Sequence, residues 1–123
     1  MATRRTQSSR RILDQQVSES QLQRDVLQLA GQLGYLAYHV YDSRKSGPDK
    51  GFPDLILARD GRVIAVELKT ERGRVSRDQA RWIWALGALD TIEIFVWRPR
   101  DWSSGRIERV LIGAEHQKLG GAA

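Results

Sequence analysis

Two rhythms of apolar positions run along the chain. Between Ser18 and Gly34, Leu22, Val26, Leu29 and Leu33 recur at helical spacing, which predicts a helix with one apolar stripe. Its start, "SESQ", has the Ser-x-x-Gln form of a capping box, and Gly34 is a natural stop. The aromatic, alternating segment "YLAYHVYD" then predicts a first strand. Two apolar runs at about 54–59 and 62–70 predict strands joined through Asp60-Gly61, and a second capping box, "SRDQ", opens a helix from Ser76 to about Leu89. "IEIFVWRP" reads as a further strand and "IERVLIG" as a shorter last one. The stretches "SRKSGPDKG" (43–51) and "ERGRVS" are loops.

Residues 1–17 are polar and aperiodic, and are expected to form a flexible basic arm. Residues 113–123 are expected to form a disordered tail, which leaves 18–112 as a single domain. The inner strands are apolar on both faces, so helices must cover both sides of the sheet. The expected fold class is therefore α/β, a three-layer α-β-α sandwich around a central mixed sheet.

Composition narrows the chemistry. The absence of cysteine excludes disulfides and a thiolate zinc site, and His39 and His116 have no metal-ligand spacing. A metal would have to be held by oxygen, which points to Mg²⁺ or Mn²⁺. The net charge is +5, and the cations are mostly arginine, which forks onto phosphate oxygens. Arg4, Arg5, Arg10 and Arg11 against Asp14 put +3 of that charge in the N-terminal stretch, where a solubilising arm has the same composition as a DNA-binding one. No apolar run has the length of a membrane span and the N-terminus lacks a secretory core, so a soluble, cytoplasmic protein without a small-molecule cofactor is expected.

The most informative stretch is "GFPDLILARDGRVIAVELKT", residues 51–70. If Asp60-Gly61 is a two-residue type I′ loop, Arg59 faces Arg62 and Asp54 lies opposite Glu67, with Cβ atoms roughly 4.5–5.5 Å apart. Lys69 then points to the same face. A four-residue loop keeps this register, whereas a three-residue loop would set Leu68 opposite Asp54. Facing carboxylates repel each other. A lysine offsets part of that repulsion, and a divalent cation held by both carboxylates and a backbone carbonyl, that of Leu68 being nearest, offsets more. Such an ion acidifies water and neutralises charge on a phosphorane-like transition state. With an ordinary pKa of about 10.4, a lysine there would stabilise charge more than accept a proton. A strand entry at Pro53-Asp54 and a surface Glu67–Lys69 ion pair are the structural alternative. Glu19 and Gln79 lie one turn before the buried stripes of their helices, and each also suits a helix start, through the macrodipole or the capping box.

These elements together resemble the virus-type replication-repair nuclease (VRR-NUC) family of the PD-(D/E)XK, restriction-endonuclease-like superfamily. The matching pieces are the glutamate of "SESQLQRDV", "GFPDL", "VELKT" and the glutamine of "SRDQ", in that order, across about residues 18–98. The resemblance implies metal-associated carboxylates at Glu19, Asp54 and Glu67, a catalytic lysine at Lys69 and a site-arranging glutamine at Gln79. It implies a Mg²⁺- or Mn²⁺-dependent nuclease, with Holliday-junction-resolvase-like homodimers and flap enzymes among its relatives. Branched or flapped DNA is the expected partner, in repair, recombination, restriction or phage genome processing inside a host cell. Arg44, Lys45, Lys50, Arg72, Arg74 and Arg77 flank the site in sequence as candidates for phosphate contacts. A non-catalytic DNA-binding module on the same fold is the alternative.

Overall fold

The computed structural model describes residues 3–40 and 50–117. The elements in order are α1 (Thr3–Gln16), α2 (Glu19–Gln32), β1 (Leu36–His39), β2 (Leu55–Arg59), β3 (Arg62–Leu68), α3 (Arg77–Gly87), β4 (Ile92–Trp97), α4 (Pro99–Ser103) and α5 (Arg106–Leu111). The four strands form a mixed sheet in the order β1-β2-β3-β4. The first three are antiparallel neighbours, and β4 runs parallel to β3.

The two faces of the sheet are covered differently. Leu55 and Leu57 of β2, Ile64, Val66 and Leu68 of β3 and Phe95 and Trp97 of β4 share one face, as the period of two requires. They pack into one buried cluster with Leu22, Val26 and Ala30 of α2 and Ile107, Val110 and Leu111 of α5. The opposite face carries Ile56, Ala65, Glu67 and Ile94 and is covered by α3, which contacts β4. Gly87 lets α3 approach closely, since a Cβ there would stand 3.1 Å from the Ile94 Cγ2. The result is the expected three-layer arrangement.

Four sequence expectations need correction. Residues 3–16 form a helix rather than a flexible arm, and the carboxylate of its buried Asp14 accepts from the Ser103 hydroxyl of α4 at 3.0 Å. "IERVLIG" is mostly the helix α5: Ile107, Val110 and Leu111 recur at helical intervals and all three are fully buried on the sheet. Residues 113–117 are built into the fold, whereas the remainder of the expected tail, 118–123, lies outside the described residues. In the first capping box, Ser18 accepts from the Gln21 amide, but the Gln21 side chain turns to Asp25 instead of completing the box.

Residues 113–117 are held by an ion pair on the core face. Arg62 of β3 grips Glu93 of β4 with two hydrogen bonds, 2.6 and 2.9 Å, and also donates to the Val110 carbonyl at 2.6 Å. Glu93 accepts in turn from the Gln117 amide, while the Gln117 side chain accepts from the amide of Ile94. Burial pushes the Glu93 carboxyl up, but the Arg62 bonds, the Gln117 amide and His116 together hold it below the usual carboxylate range. Its hydrogen bonds to Glu93 raise the Arg62 guanidinium further, and the pair stays ionised.

The loop entering β2 is fixed by a glycine. Gly51 has φ +89°, and a Cβ on it would lie 2.5 Å from the Asp78 carbonyl carbon at the start of α3. Phe52 packs edge-on to Trp82 of α3, with ring centroids 4.9 Å apart. This contact locks the approach to Asp54 onto the helix that carries Gln79.

Two predictions follow from this packing. Gly51→Ala should destabilise the protein by about 2–3 kcal/mol in a urea titration, from the positive φ and the backbone clash together. Because the Glu93 pKa is lower in the folded protein, its stabilisation is complete above the unfolded glutamate value of about 4.3 and is lost as pH falls through the folded value. Stability measured from neutral pH to pH 2 should fall in that acidic window, and Glu93→Gln should flatten the fall while costing about 3 kcal/mol at neutral pH.

Candidate active site

The Asp60-Gly61 turn has φ +51° and +79° at its two residues, the signs a type I′ loop requires. Arg59 pairs with Arg62, and the ladder continues to Leu55 opposite Val66. One step further, that register brings Asp54 opposite Glu67. The three-residue loop that would have broken this arrangement is absent.

Asp54 is 3% exposed, Glu67 1%, and Lys69 is also buried. Asp54 is held by the backbone around it: its Oδ2 accepts from the Leu68 amide at 2.7 Å, and its own carbonyl accepts from the Val40 amide at 2.9 Å. The Leu68 amide thus points to the β2 edge of β3, and in an extended chain the carbonyl of the same residue points to that edge as well. Glu67 is oriented from α3, where the Gln79 side-chain amide donates to its Oε2 at 2.8 Å. The Lys69 ammonium lies 3.6 Å from the same oxygen, an ion-pair distance longer than a good hydrogen bond.

The Gln79 side chain is shared between two partners. Its Oε1 accepts from the Ser76 amide at 2.9 Å while Ser76 Oγ accepts from the Gln79 amide, which completes the capping box of α3. Its Nε2 is left to hold Glu67.

Other sequence candidates stand further out. Glu19 is half-buried in the first turn of α2. Because α2 turns directly into β1, and β1 ends beside Leu55, the start of α2 lies at the Asp54 end of the sheet. The Glu19 side chain makes no hydrogen bond or ion pair to Asp54, Glu67 or Lys69 among the described residues. Arg72, Arg74 and Arg77 are exposed, and Lys50 pairs with Asp78 at 3.6 Å. Arg44 and Lys45 lie outside the described residues.

One organising residue escaped the sequence reading. Arg98, just beyond β4, sends its guanidinium to the carbonyls of Thr70 at 2.7 Å and Gly73 at 2.8 Å, and so shapes the loop that follows Lys69. Nothing in its own spacing marks it; the clue would have been that β4 runs parallel to β3, which sets the ends of both strands side by side. An open groove of about 560 Å³, lined by Arg59, Asp60, Arg62, Glu93 and His116, lies at the opposite end of the sheet and takes no part in this site.

The donor set suits a hard cation. Two buried carboxylates and a carbonyl meet at one strand end with no sulfur or imidazole among them, the oxygen-only environment of Mg²⁺ or Mn²⁺. No group of three or more acidic or histidine side chains that could hold a metal by themselves occurs among the described residues, so the backbone and solvent or substrate oxygens would have to share the coordination.

Among known proteins, the VRR-NUC domain model matches residues 3–90, from α1 to just before β4. No curated protein and no solved structure matches the chain. The match spans well over half of the chain and includes Glu19, Asp54, Glu67, Lys69 and Gln79, so the chain belongs to the VRR-NUC family and its function is of nuclease type.

Proposed function

We propose that the protein is a divalent-metal-dependent DNA endonuclease, selective for branched or flapped structures in the manner of a junction resolvase, with Asp54, Glu67 and Lys69 at its centre. The observation that carries this reading is the convergence of these three buried ionisable groups at one strand end, where Glu67 is oriented by Gln79. Burying two carboxylates and a lysine costs several kcal/mol, and such groups are retained where a task needs them.

Asp54, Glu67 and the Leu68 carbonyl would hold Mg²⁺ or Mn²⁺, and Glu19, at the same end of the fold, is assigned to the outer shell. When bound, such an ion acidifies a water and offsets the charge that builds on the phosphate. The chain itself does the positioning. The Leu68 amide fixes the Asp54 carboxylate, and Gln79 fixes Glu67 against α3. Lys69 brings a positive charge to the scissile phosphate from beside Glu67. Arg72, Arg74 and Arg77, exposed on the loop and first turn beyond the site, contact flanking phosphates and orient DNA without reading its sequence.

The working unit we propose is a homodimer. On the edge strand β1, Leu36 is 78% and Tyr38 65% exposed, and both lie on the sheet face that carries Ile56 and Ala58. The strand has no proline, lysine or bulge to protect its edge. A second copy covering this apolar surface would give a symmetric pair with two sites, as cutting both strands of a junction requires.

The reading is tested with end-labelled four-way junction, flap and linear duplex DNA in Mg²⁺, Mn²⁺ or chelator. Metal-dependent cleavage is expected, with branched DNA cut fastest. Asp54→Ala and Lys69→Met should each lose roughly a hundredfold or more, and Gln79→Ala about 10–100-fold through the released Glu67. A well-folded wild type that binds DNA but cuts nothing in either metal would make it a binding module instead. Analytical ultracentrifugation at micromolar concentration should give twice the chain mass, with Tyr38→Lys shifting it to a monomer; a monomeric wild type would refute the dimer.

A further inference from the structure

The exposed side of α3 has a character the cleavage site does not explain. Gln79, Ile83 and Leu86 turn toward the sheet, and the opposite ridge presents Arg77, Arg81, Trp84 and Ala88. Trp84 is 75% exposed, far more than its neighbour Trp82, which packs on Phe52. Around Trp84 the surface residues are Ala80, Ala85 and Ala88, all small and exposed, so its indole stands clear of the helix. Neither Arg77 nor Arg81 has an ion-pair or hydrogen-bond partner for its side chain among the described residues, and the same holds for Arg72 and Arg74 in the preceding loop.

These arginines form a track that begins beside Lys69 and climbs the helix to the tryptophan. Along the axis Trp84 lies roughly 7–8 Å beyond Gln79 and about 10 Å beyond Arg77, a separation on the scale of a nucleotide or two. Unneutralised guanidinium groups attract a polyanion, and they would repel the same ridge on a second copy. An aromatic face standing among them is the arrangement that binds single strands, where arginines follow the backbone and a ring stacks on a base.

We infer that the outer ridge of α3 is a single-strand platform: Trp84 stacks on an unpaired base while Arg77 and Arg81 hold the phosphates on either side. The inference rests on the nuclease reading for its purpose, since it assigns the device by which unpaired DNA next to the cleaved bond is recognised. Within a paired duplex each base is covered by its neighbours, so the ring has a target only at a flap, a junction centre or a single-stranded end.

The test is binding, kept apart from cleavage by chelator. Fluorescence anisotropy would compare labelled oligodeoxythymidine, a 5′-flap and a blunt duplex on wild type, Trp84→Ala, Trp84→Phe and Arg81→Ala. Trp84→Ala should weaken the single strand and the flap roughly tenfold or more, with a much smaller effect on the blunt duplex, and Trp84→Phe should restore most of the loss. Arg81→Ala should weaken the probes together and reduce the salt dependence of binding. Unchanged melting and sedimentation would show that fold and assembly are intact. Equal loss on all three probes, no loss, or a change of oligomeric state on Trp84→Ala would each overturn the platform, the last by making the ridge a protein contact. A wild type that cuts no DNA in Mg²⁺ or Mn²⁺ yet binds single strands through Trp84 would sink the nuclease reading and leave the platform standing.

Discussion

The structure depends on the parity of one turn. Asp60 and Gly61 both take positive φ, and a two-residue loop of that kind allows only one register between β2 and β3. Because side chains alternate along a strand, a slip of one residue would send Glu67 and Lys69 into the apolar cluster beneath α2 and α5, and Leu68 out toward α3. The apolar cluster therefore enforces the same register that the turn selects: Ile64, Val66 and Leu68 must face inward, and that obligation puts Glu67 and Lys69 on the other face. The site is a consequence of the core.

Much of this was legible in the chain. Asp60-Gly61 between two apolar runs predicts the hairpin, and the hairpin predicts that Asp54 and Glu67 are opposed. "SRDQ" predicts the start of α3 and places Gln79 on its inner face. The misreadings have a common physical origin in tertiary contacts. The first sixteen residues show no apolar stripe, and among the described side chains of α1 the buried one is Asp14, whose partner Ser103 is far away in sequence. "IERVLIG" is too short for its period to separate strand from helix, and α5 is decided by the surface it covers. Arg98 could not be found from its neighbours, because what it holds is a loop beyond a strand that becomes adjacent only through parallel pairing.

Two clusters of buried charge sit at opposite ends and on opposite faces of the sheet, and they differ in geometry. Arg62 and Glu93 form a bidentate pair whose remaining hydrogen-bonding capacity is taken up by Tyr35, Val110, Glu115 and Gln117. It pins the C-terminal segment and has the strong fork geometry of a structural salt bridge. The Glu67–Lys69 contact differs: at 3.6 Å it is loose, and it uses a flexible ammonium where a fork would bind tighter. A contact of that kind contributes little to stability for the desolvation it demands.

The position of Gln79 adds a mechanical coupling. One carboxamide closes the capping box with Ser76 and orients Glu67, so the first turn of α3 and the carboxylate are ordered by the same side chain. Fraying that turn would release Glu67 as well as the cap. Gly51 and the Phe52–Trp82 contact press the "GFPD" segment against the same turn from the other side. The start of α3 is thus where both strands of the hairpin meet their support. Any ligand that steadies α3 from its outer ridge would therefore also steady Gln79 and, through it, the Glu67 carboxylate on the inner side of the helix.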